Sequence, residues 1–524
     1  MKPVGSRPSS PRRSARSFLG GAYTLAGAAV ISRALGAVYR VLLYGILKPE
    51  GMGLLQMAMP VYFLTVAVCT SGIRTATSRM VAEREAVHNR AEADAVFQTS
   101  LWLLSALGFA LSILMFGLSR PVAKFLTKDP GSVVVIAAIA PGIFFEAVTA
   151  AYRGLFHGRQ TMWPAAVSQV VEQAIRVITT FVLVFAMLPL GIEMAAAGAA
   201  LGTVTGSAAG LLCVLWAHSS SRRTATSQRM AHGRSYSGSA RILGEIARIA
   251  APLSLVTGML SVTHLIDVAV IPMRLQSLGM PFREATALYG RLAGGAMPLV
   301  TLPTVVTAAL QVSLVPAVTS AQARRELPRI RRLVGTALRV SITLMLPAAV
   351  GLYVLSAEIP AFLYKDPEMA PVLAVMASVP LLLSLEQLTA GSLQGLGRFG
   401  VLMRNHLLAA GAQTVVTYYL TGLPAFGIVG AAYGTMVGMM VCAGLNFLAL
   451  SAHIPGLLRD VRGAPLRPAV AALFMAGVIR YSYDAIMGAT HLQSVALIAA
   501  VSLGALLYLL TVGGVGRLIG PIKD

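Results

Sequence analysis

Phe125-Leu126-Thr127-Lys128-Asp129-Pro130 and Phe362-Leu363-Tyr364-Lys365-Asp366-Pro367 are two copies of one hexapeptide, FLxKDP, set 237 residues apart. At the same offset Gly158 falls on Gly395, and a serine- and arginine-rich stretch over 218–248 lies between the copies. Each hexapeptide precedes a long apolar run, so the chain reads as a duplicated unit. What is duplicated follows from composition. Of 524 residues, 56% are hydrophobic and only 12% charged, with a mean hydropathy of +0.74, whereas a soluble domain has about a quarter of its residues charged. That excludes an ordinary water-soluble chain, and it excludes disorder, whose signature is low hydrophobicity. A polytopic membrane protein remains.

Fourteen runs have the roughly 20 mainly apolar residues that a spanning helix needs. They lie near 18–47, 52–76, 95–118, 131–152, 164–187, 193–217, 249–273, 292–320, 334–356, 370–395, 403–421, 427–450, 468–487 and 493–513. With the N-terminus inside, the cytoplasmic connections and tails hold 28 of the 42 Lys and Arg against eight outside, the bias expected of cytoplasmic loops. Six helices per copy is even, so both copies insert in the same orientation about an axis along the membrane normal. The predicted fold is therefore an all-α integral membrane protein of about 14 transmembrane helices, in two six-helix lobes related by pseudo-twofold symmetry plus two C-terminal helices. Its predicted parts are a basic cytoplasmic tail at 1–17, an N-lobe at 18–217, a basic cytoplasmic linker at 218–248, a C-lobe at 249–450 and the last helix pair at 468–513. The first apolar run exceeds the roughly 7–15 residues of a signal-peptide core and reads as a retained helix. The net charge of +22, which in a soluble chain points to nucleic acid, follows here from topology, and no nucleic-acid partner is expected. The arginines of the linker are either a topology signal in a solvated loop or a contact for anionic membrane lipids.

Ionisable groups within a bilayer cost about 2.5–3.5 kcal/mol each at a helix centre, so they face a cavity or pair. Among those within the runs are Arg33, Arg40, Arg74, Arg176, Arg339, Arg480, Glu146, Glu172, Asp267 and Glu386. Arg33 and Arg40 are seven apart, which puts them on one helix face about 10 Å apart, and their helix has no acid to neutralise them. Guanidinium forks suit phosphate through paired, charge-assisted hydrogen bonds. One reading is a cationic cavity for a pyrophosphate, joined by Arg74; the other is snorkelling to the inner interface or pairing with Glu146 or Glu172. Glu172 and Arg176, spaced i, i+4, suit an ion pair on one helix. Glu146, Asp267 and Glu386 are candidates for charge balance or for a coupling ion, as is His264 for a proton relay. Pro298, Pro303 and Pro316 must interrupt the eighth run, and Arg291 at its outer end faces either solvent or a bound anion.

No GxxxxGK[ST] and no HExxH occurs, the eight histidines lack ligand spacing, and Cys69, Cys213 and Cys442 form no CxxC. No cofactor, metal site or catalytic residue is expected. A membrane glycosyltransferase or phosphatase would need acids or histidines on an aqueous face, and the longest outer loop, 274–291, offers only Glu284.

Particular segments resemble a known family. Leu35-Gly36-Ala37-Val38-Tyr39-Arg40, Glu50-Gly51-Met52-Gly53-Leu54-Leu55-Gln56-Met57, Ser78-Arg79-Met80-Val81-Ala82-Glu83, Tyr152-Arg153-Gly154-Leu155-Phe156-His157-Gly158, Val167-Ser168-Gln169-Val170-Val171-Glu172 and Ala287-Leu288-Tyr289-Gly290-Arg291-Leu292 are similar to the stage V sporulation protein B and MurJ-like flippase family. That family belongs to the polysaccharide exporter branch of the multidrug/oligosaccharidyl-lipid/polysaccharide superfamily. The resemblance covers the first twelve runs and excludes the first sixteen residues and the linker. It implies a multi-pass protein of a bacterial cytoplasmic membrane, both termini cytoplasmic, that moves an undecaprenyl pyrophosphate-linked saccharide such as lipid II outward for peptidoglycan or spore cortex by alternating access. Membrane lipids and the cell-wall synthesis machinery are the implied partners. The family's cavity arginines match Arg33 and Arg291; a third falls on Tyr39, beside Arg40, and Arg74 stands where relatives carry proline. The alternative within the superfamily is a multidrug or cation antiporter, whose members bind cations through intramembrane acids.

Overall fold

The computed structural model describes residues 11–87, 89–127, 129–225, 239–463 and 466–518; within those helices the side chains at 11–26, 29–30, 33, 37, 126–127, 221–225, 239, 252, 255–256, 259–261, 462 and 513–518, Arg33 among them, fall outside the description. Among the described residues there are helices and no strand. The first half runs through α1 (Pro11–Ala86), α2 (Arg90–Gly117), the short α3 (Ser119–Val122) and α4 (Ser132–Ile139), then α5 (Pro141–Gly158), α6 (Met162–Met187) and α7 (Ile192–Ala225). There follow α8 (Ser239–Gln276), α9 (Phe282–Tyr289), α10 (Met297–Thr301), α11 (Val305–Ala323), α12 (Leu327–Val354), α13 (Glu358–Leu363), α14 (Ala370–Met376), α15 (Val379–Gly395), α16 (Phe399–Thr421) and α17 (Ile428–His453). The chain ends in α18 (Leu457–Arg462), α19 (Leu466–Thr490) and α20 (Gln493–Leu518).

Among the described residues, eleven helices are long and apolar enough to cross a membrane by length and composition. The fourteen expected runs all fall on helical segments, but the count of fourteen is not reached by that measure. α1 counts once although it carries two runs, joined at Lys48, where the backbone turns to φ 59° and ψ 176°. Pro49 is the cause: its ring drives the preceding residue out of the helical region. α8 and α16 carry the runs expected at 249–273 and 403–421 and are not among the eleven; in α16 the residues Arg404, Asn405, His406 and Gln413 dilute the apolar content. α7 and α8 run into both ends of the expected linker, and 226–238 lies outside the described residues. The proline-rich eighth run is broken as its sequence requires: a π-helical stretch over Gly290–Ala296, then α10, then an interruption before α11.

The chain divides into two compact units. The first holds residues up to Gly36, Ala58–Pro121 and Val133–Val262; the second holds Ala37–Met57, Val122–Ser132 and Thr263–Asp524. Both hexapeptides therefore belong to the second unit. In the first, Phe97, Leu104, Ala151, Leu155 and Ile246 form the core. In the second, one core gathers Leu314, Val318, Val334, Leu388 and Leu393, and another seats Met475, Ile479, Ala496 and Ala500 of the last long helices with Leu355.

The duplication is visible in how glycines seat the helices. A Cβ on Gly158 of α5 would lie 2.7 Å from Val81 Cβ, and one on Gly395 of α15 would lie 2.8 Å from Val318 Cβ. Val81 and Val318 are themselves 237 residues apart. On α7 the stripe Gly198, Gly202, Gly206 lies against Leu183, Thr180 and Arg176 of α6; on α17 the stripe Gly430, Gly434, Gly438 lies against Leu420, Thr417 and Gln413 of α16. The α6 and α16 partners again differ by 237, while the glycines facing them differ by 232, and small residues at i, i+4 are what let two membrane helices approach this closely. Within the second unit some repeat-related residues touch each other. Gln56 Nε2 donates to the Ala293 carbonyl at 2.7 Å, 237 residues away, and a Cβ on Gly290 would lie 2.7 Å from the Gly53 nitrogen. Equivalent residues meet in this way on a local two-fold axis.

Candidate functional site

Five charged side chains converge in the first unit. Arg153 on α5 is only 6% exposed. Its Nη2 donates to Glu172 Oε2 on α6 at 2.8 Å, its Nη1 to Glu146 Oε1 at 3.3 Å, and its Nε to Ser168 Oγ at 3.1 Å. The second Glu172 oxygen accepts from Arg176 Nη2. Helix periodicity aims these groups together: Glu146 and Arg153 are two turns apart on α5, and Glu172 and Arg176 one turn apart on α6. α7 makes room for them, since a Cβ on Gly210 would lie 3.3 Å from Glu172 Oε2 and 3.6 Å from Arg153 Nη2. Arg74 of α1, half-buried, is close enough to act electrostatically on Arg153 and Glu146, and its carbonyl would lie 3.0 Å from a Cβ on Gly154. Three arginines against two glutamates leave this cluster with one excess positive charge.

Arg153 corrects the sequence reading, which ended a span at 152 and assigned Arg153 to a cytoplasmic loop. α5 continues to Gly158, and burial of the guanidinium is offset by charge-assisted hydrogen bonds to two carboxylates. The i, i+7 relation of Glu146 and Arg153 is the signal that would have found it.

The other candidates are dispersed. Arg33 lies on α1 in the first unit; its side chain is among those not described. Arg40, on the same helix but in the second unit, is exposed beside the buried Tyr39. Arg291 pairs with Asp366 Oδ2 at 2.9 Å and Glu368 Oε2 at 2.6 Å, and Tyr44 donates its hydroxyl to the same Asp366 oxygen at 2.8 Å. The aspartate of the second hexapeptide thus holds Arg291, while Asp129 of the first accepts from the Thr286 hydroxyl and, at 2.9 Å, from the Gly131 amide. Asp267 on α8 accepts from Gln413 Nε2 at 2.8 Å. Glu386 on α15 faces His406 on α16 and Cys442 on α17, the donor atoms of all three lying within 4.8 Å of one another. Sequence spacing gave no sign of that group, because its members are 20 and 36 residues apart on three helices.

Helix ends of the first unit are joined by ion pairs. Arg84 pairs with Glu245 at 2.8 Å and Glu92 at 3.3 Å, and Arg159 with Asp94 at 2.7 Å and Glu85 at 3.1 Å. The Arg84 guanidinium, with help from Arg241, holds the Glu245 carboxyl below its ordinary value of 4.5.

The family described as polysaccharide biosynthesis protein matches residues 18–322. Stage V sporulation protein B of Bacillus subtilis (strain 168) is 29% identical over 444 residues, which cover 84% of this chain and 85% of that protein. Among solved structures, the lipid II flippase MurJ in an inward closed conformation aligns with a TM-score of 0.69 at 16% identity, covering 94% of this chain and 99% of that one. An inward-facing multidrug resistance transporter of the MATE family and MOP superfamily aligns with a TM-score of 0.67 at 18% identity, over 82% of this chain and 96% of that one. The two structures share this fold.

Proposed function

We propose, since the chain belongs to the polysaccharide biosynthesis protein family, that it is a flippase moving a lipid-linked oligosaccharide pyrophosphate, of the lipid II type, across a bacterial cytoplasmic membrane by alternating access. Arg33, Arg40 and Arg74 are the cations assigned to the pyrophosphate. Arg291 joins them by exchanging its carboxylate partners for phosphate oxygens, since both present the oxygen pair that a guanidinium fork accepts. The polyprenyl tail stays in lipid. The two lobes carry the movement, both termini are cytoplasmic, and the cell-wall synthesis machinery supplies and receives the substrate.

One observation carries this reading over a multidrug or cation antiporter. In the charged cluster of the first unit both acids are engaged by arginine, Glu146 by Arg153 and Glu172 by Arg153 and Arg176, and the sum with Arg74 is positive. A cation-binding pocket needs acids left over; a pyrophosphate pocket needs cations left over. The fold likeness to MATE transporters fits either reading; the charge balance of the first unit favours an anion, while Asp267 and Glu386, paired with no arginine among the described residues, lie in the second unit. Likewise a membrane glycosyltransferase or phosphatase has no support in this cluster, whose acids are paired with arginines.

The test is binding by the purified, detergent-solubilised protein of an undecaprenyl pyrophosphate saccharide and of a cationic dye, each titrated alone and in competition. The pyrophosphate lipid binds saturably, the dye does not displace it, and Arg74→Ala weakens it about tenfold, the value of one charge-assisted hydrogen bond of about 1.5 kcal/mol. Saturable dye binding without pyrophosphate-lipid binding would select the antiporter.

A further inference from the structure

The second unit holds a group of side chains that the proposed transport does not use. Cys442, 2% exposed, places its Sγ 3.3 Å from His406 Nδ1, and the same nitrogen lies 3.7 Å from Glu386 Oε1. A thiol, an imidazole and a carboxylate from three neighbouring helices thus present one donor atom each toward a common point.

We propose that Glu386, His406 and Cys442 form a binding site for a divalent transition-metal ion of the zinc class. The spacing carries the argument. A tetrahedral zinc ion with Zn–S of about 2.3 Å, Zn–N of about 2.05 Å and Zn–O of about 2.1 Å requires S···N of about 3.6 Å and N···O of about 3.4 Å. The distances present, 3.3 and 3.7 Å, differ from these by about 0.3 Å each, less than a rotamer adjustment supplies. Donor chemistry excludes the hard ions. Sodium, magnesium and calcium favour all-oxygen shells, whereas a thiolate with an imidazole selects zinc and its neighbours. Three protein ligands leave a fourth position for water, as in open zinc sites.

Surrounding groups hold the sulfur in place. Asn446, fully buried one turn after Cys442 on α17, points Nδ2 at Sγ at 3.6 Å, and Asn405 Nδ2 donates to Asn446 Oδ1 at 3.0 Å. Such outer partners orient a ligand and set its basicity. On binding, the thiol gives up its proton, the sulfur lone pair forms the bond to the metal, and the proton leaves to solvent. The repeat makes the site particular to one half: at the 237-residue offset Glu386 and His406 correspond to Thr149 and Gln169, which cannot replace them. An ion there would tie α15, α16 and α17 together whatever the protein transports.

The test uses full-length protein, stripped of metal in detergent and titrated with Co2+ alone, whose thiolate complexes absorb by sulfur-to-cobalt charge transfer. The expected result is one Co2+ per chain with that absorption, abolished by added Zn2+. Cys442→Ser removes the absorption, whereas a Cys69→Ser/Cys213→Ser variant keeps it. Glu386→Gln and His406→Ala weaken Co2+ at least tenfold, and Asn446→Ala about tenfold. If Cys442→Ser aggregates, Glu386→Gln and the Cys69→Ser/Cys213→Ser variant decide the matter. Absence of the charge-transfer absorption in the parent, its persistence in Cys442→Ser, or equal Co2+ affinity in Glu386→Gln overturns the assignment.

Discussion

Replacing Arg153 by Met strips the first unit of the buried cation that binds two partly buried acids. The guanidinium makes three polar contacts, at 2.8 Å to Glu172, 3.3 Å to Glu146 and 3.1 Å to Ser168. Arg176 still pairs with Glu172 after the change, whereas Glu146 loses its hydrogen-bonded arginine and keeps only the electrostatic influence of Arg74. Removing one partner of a buried pair costs about 3–5 kcal/mol, most of it the penalty of the charge left behind. At about 2–4 °C per kcal/mol for a unit of 150–250 residues, the midpoint of thermal unfolding falls by roughly 6–20 °C, read by intrinsic fluorescence on purified protein in detergent. The companion Arg74→Met/Arg153→Met/Glu146→Met/Glu172→Met/Arg176→Met removes all five charges together and returns to within a few degrees of the parent, because apolar groups of similar volume replace a buried network at little cost. A single Arg153→Met variant that unfolds within about 2 °C of the parent would refute the picture of a buried, mutually satisfied cluster.

Three further outcomes follow from the same geometry. Gly158→Ala and Gly395→Ala each lose about 1–3 kcal/mol by overpacking, because the new methyl meets Val81 or Val318 below 3 Å, while Gly411→Ala and Gly444→Ala, with nothing within 4 Å, are neutral or mildly stabilising; unfolding in denaturant ranks the four. Glu245 is held below 4.5 by Arg84, so its contribution is full above that value and is lost as pH falls through its lower folded value. Glu245→Gln therefore flattens the acid limb of stability against pH below about 4.5 and leaves the neutral region parallel to the parent. Asp366→Asn weakens the hold on Arg291 and on the Tyr44 hydroxyl at once, and thermal unfolding shows a loss of about 1.5–3 kcal/mol.

The helical class and the duplication were legible because both are written in local pattern: apolar runs of spanning length, and a hexapeptide that recurs at one offset. The glycine contacts repeat that offset at Val81 and Val318 and again at Arg176 and Gln413. Arg153 escaped because a boundary set at 152 turned a buried cation into a loop residue, and hydropathy alone cannot place a helix end to within one turn. Arg291 was read as facing a bound anion or solvent, and its partner Asp366 sat unrecognised within the repeated hexapeptide, since no pattern joins residues 75 positions apart. The trio Glu386, His406 and Cys442 was invisible for the same reason: ligand spacing can be read along one helix, whereas three helices brought side by side leave no periodic trace.

The central claim is that this chain translocates a pyrophosphate-linked saccharide on arginine side chains. Translocation of lipid II in proteoliposomes, scored by access of an external probe, tests it most directly with the Arg33→Ala/Arg40→Ala variant alongside. The account predicts movement by the parent and loss of at least nine-tenths of it in the correctly inserted variant. Equal movement by both would contradict the cationic site, and movement by neither, with saturable transport of a cationic dye by the parent, would contradict the flippase itself.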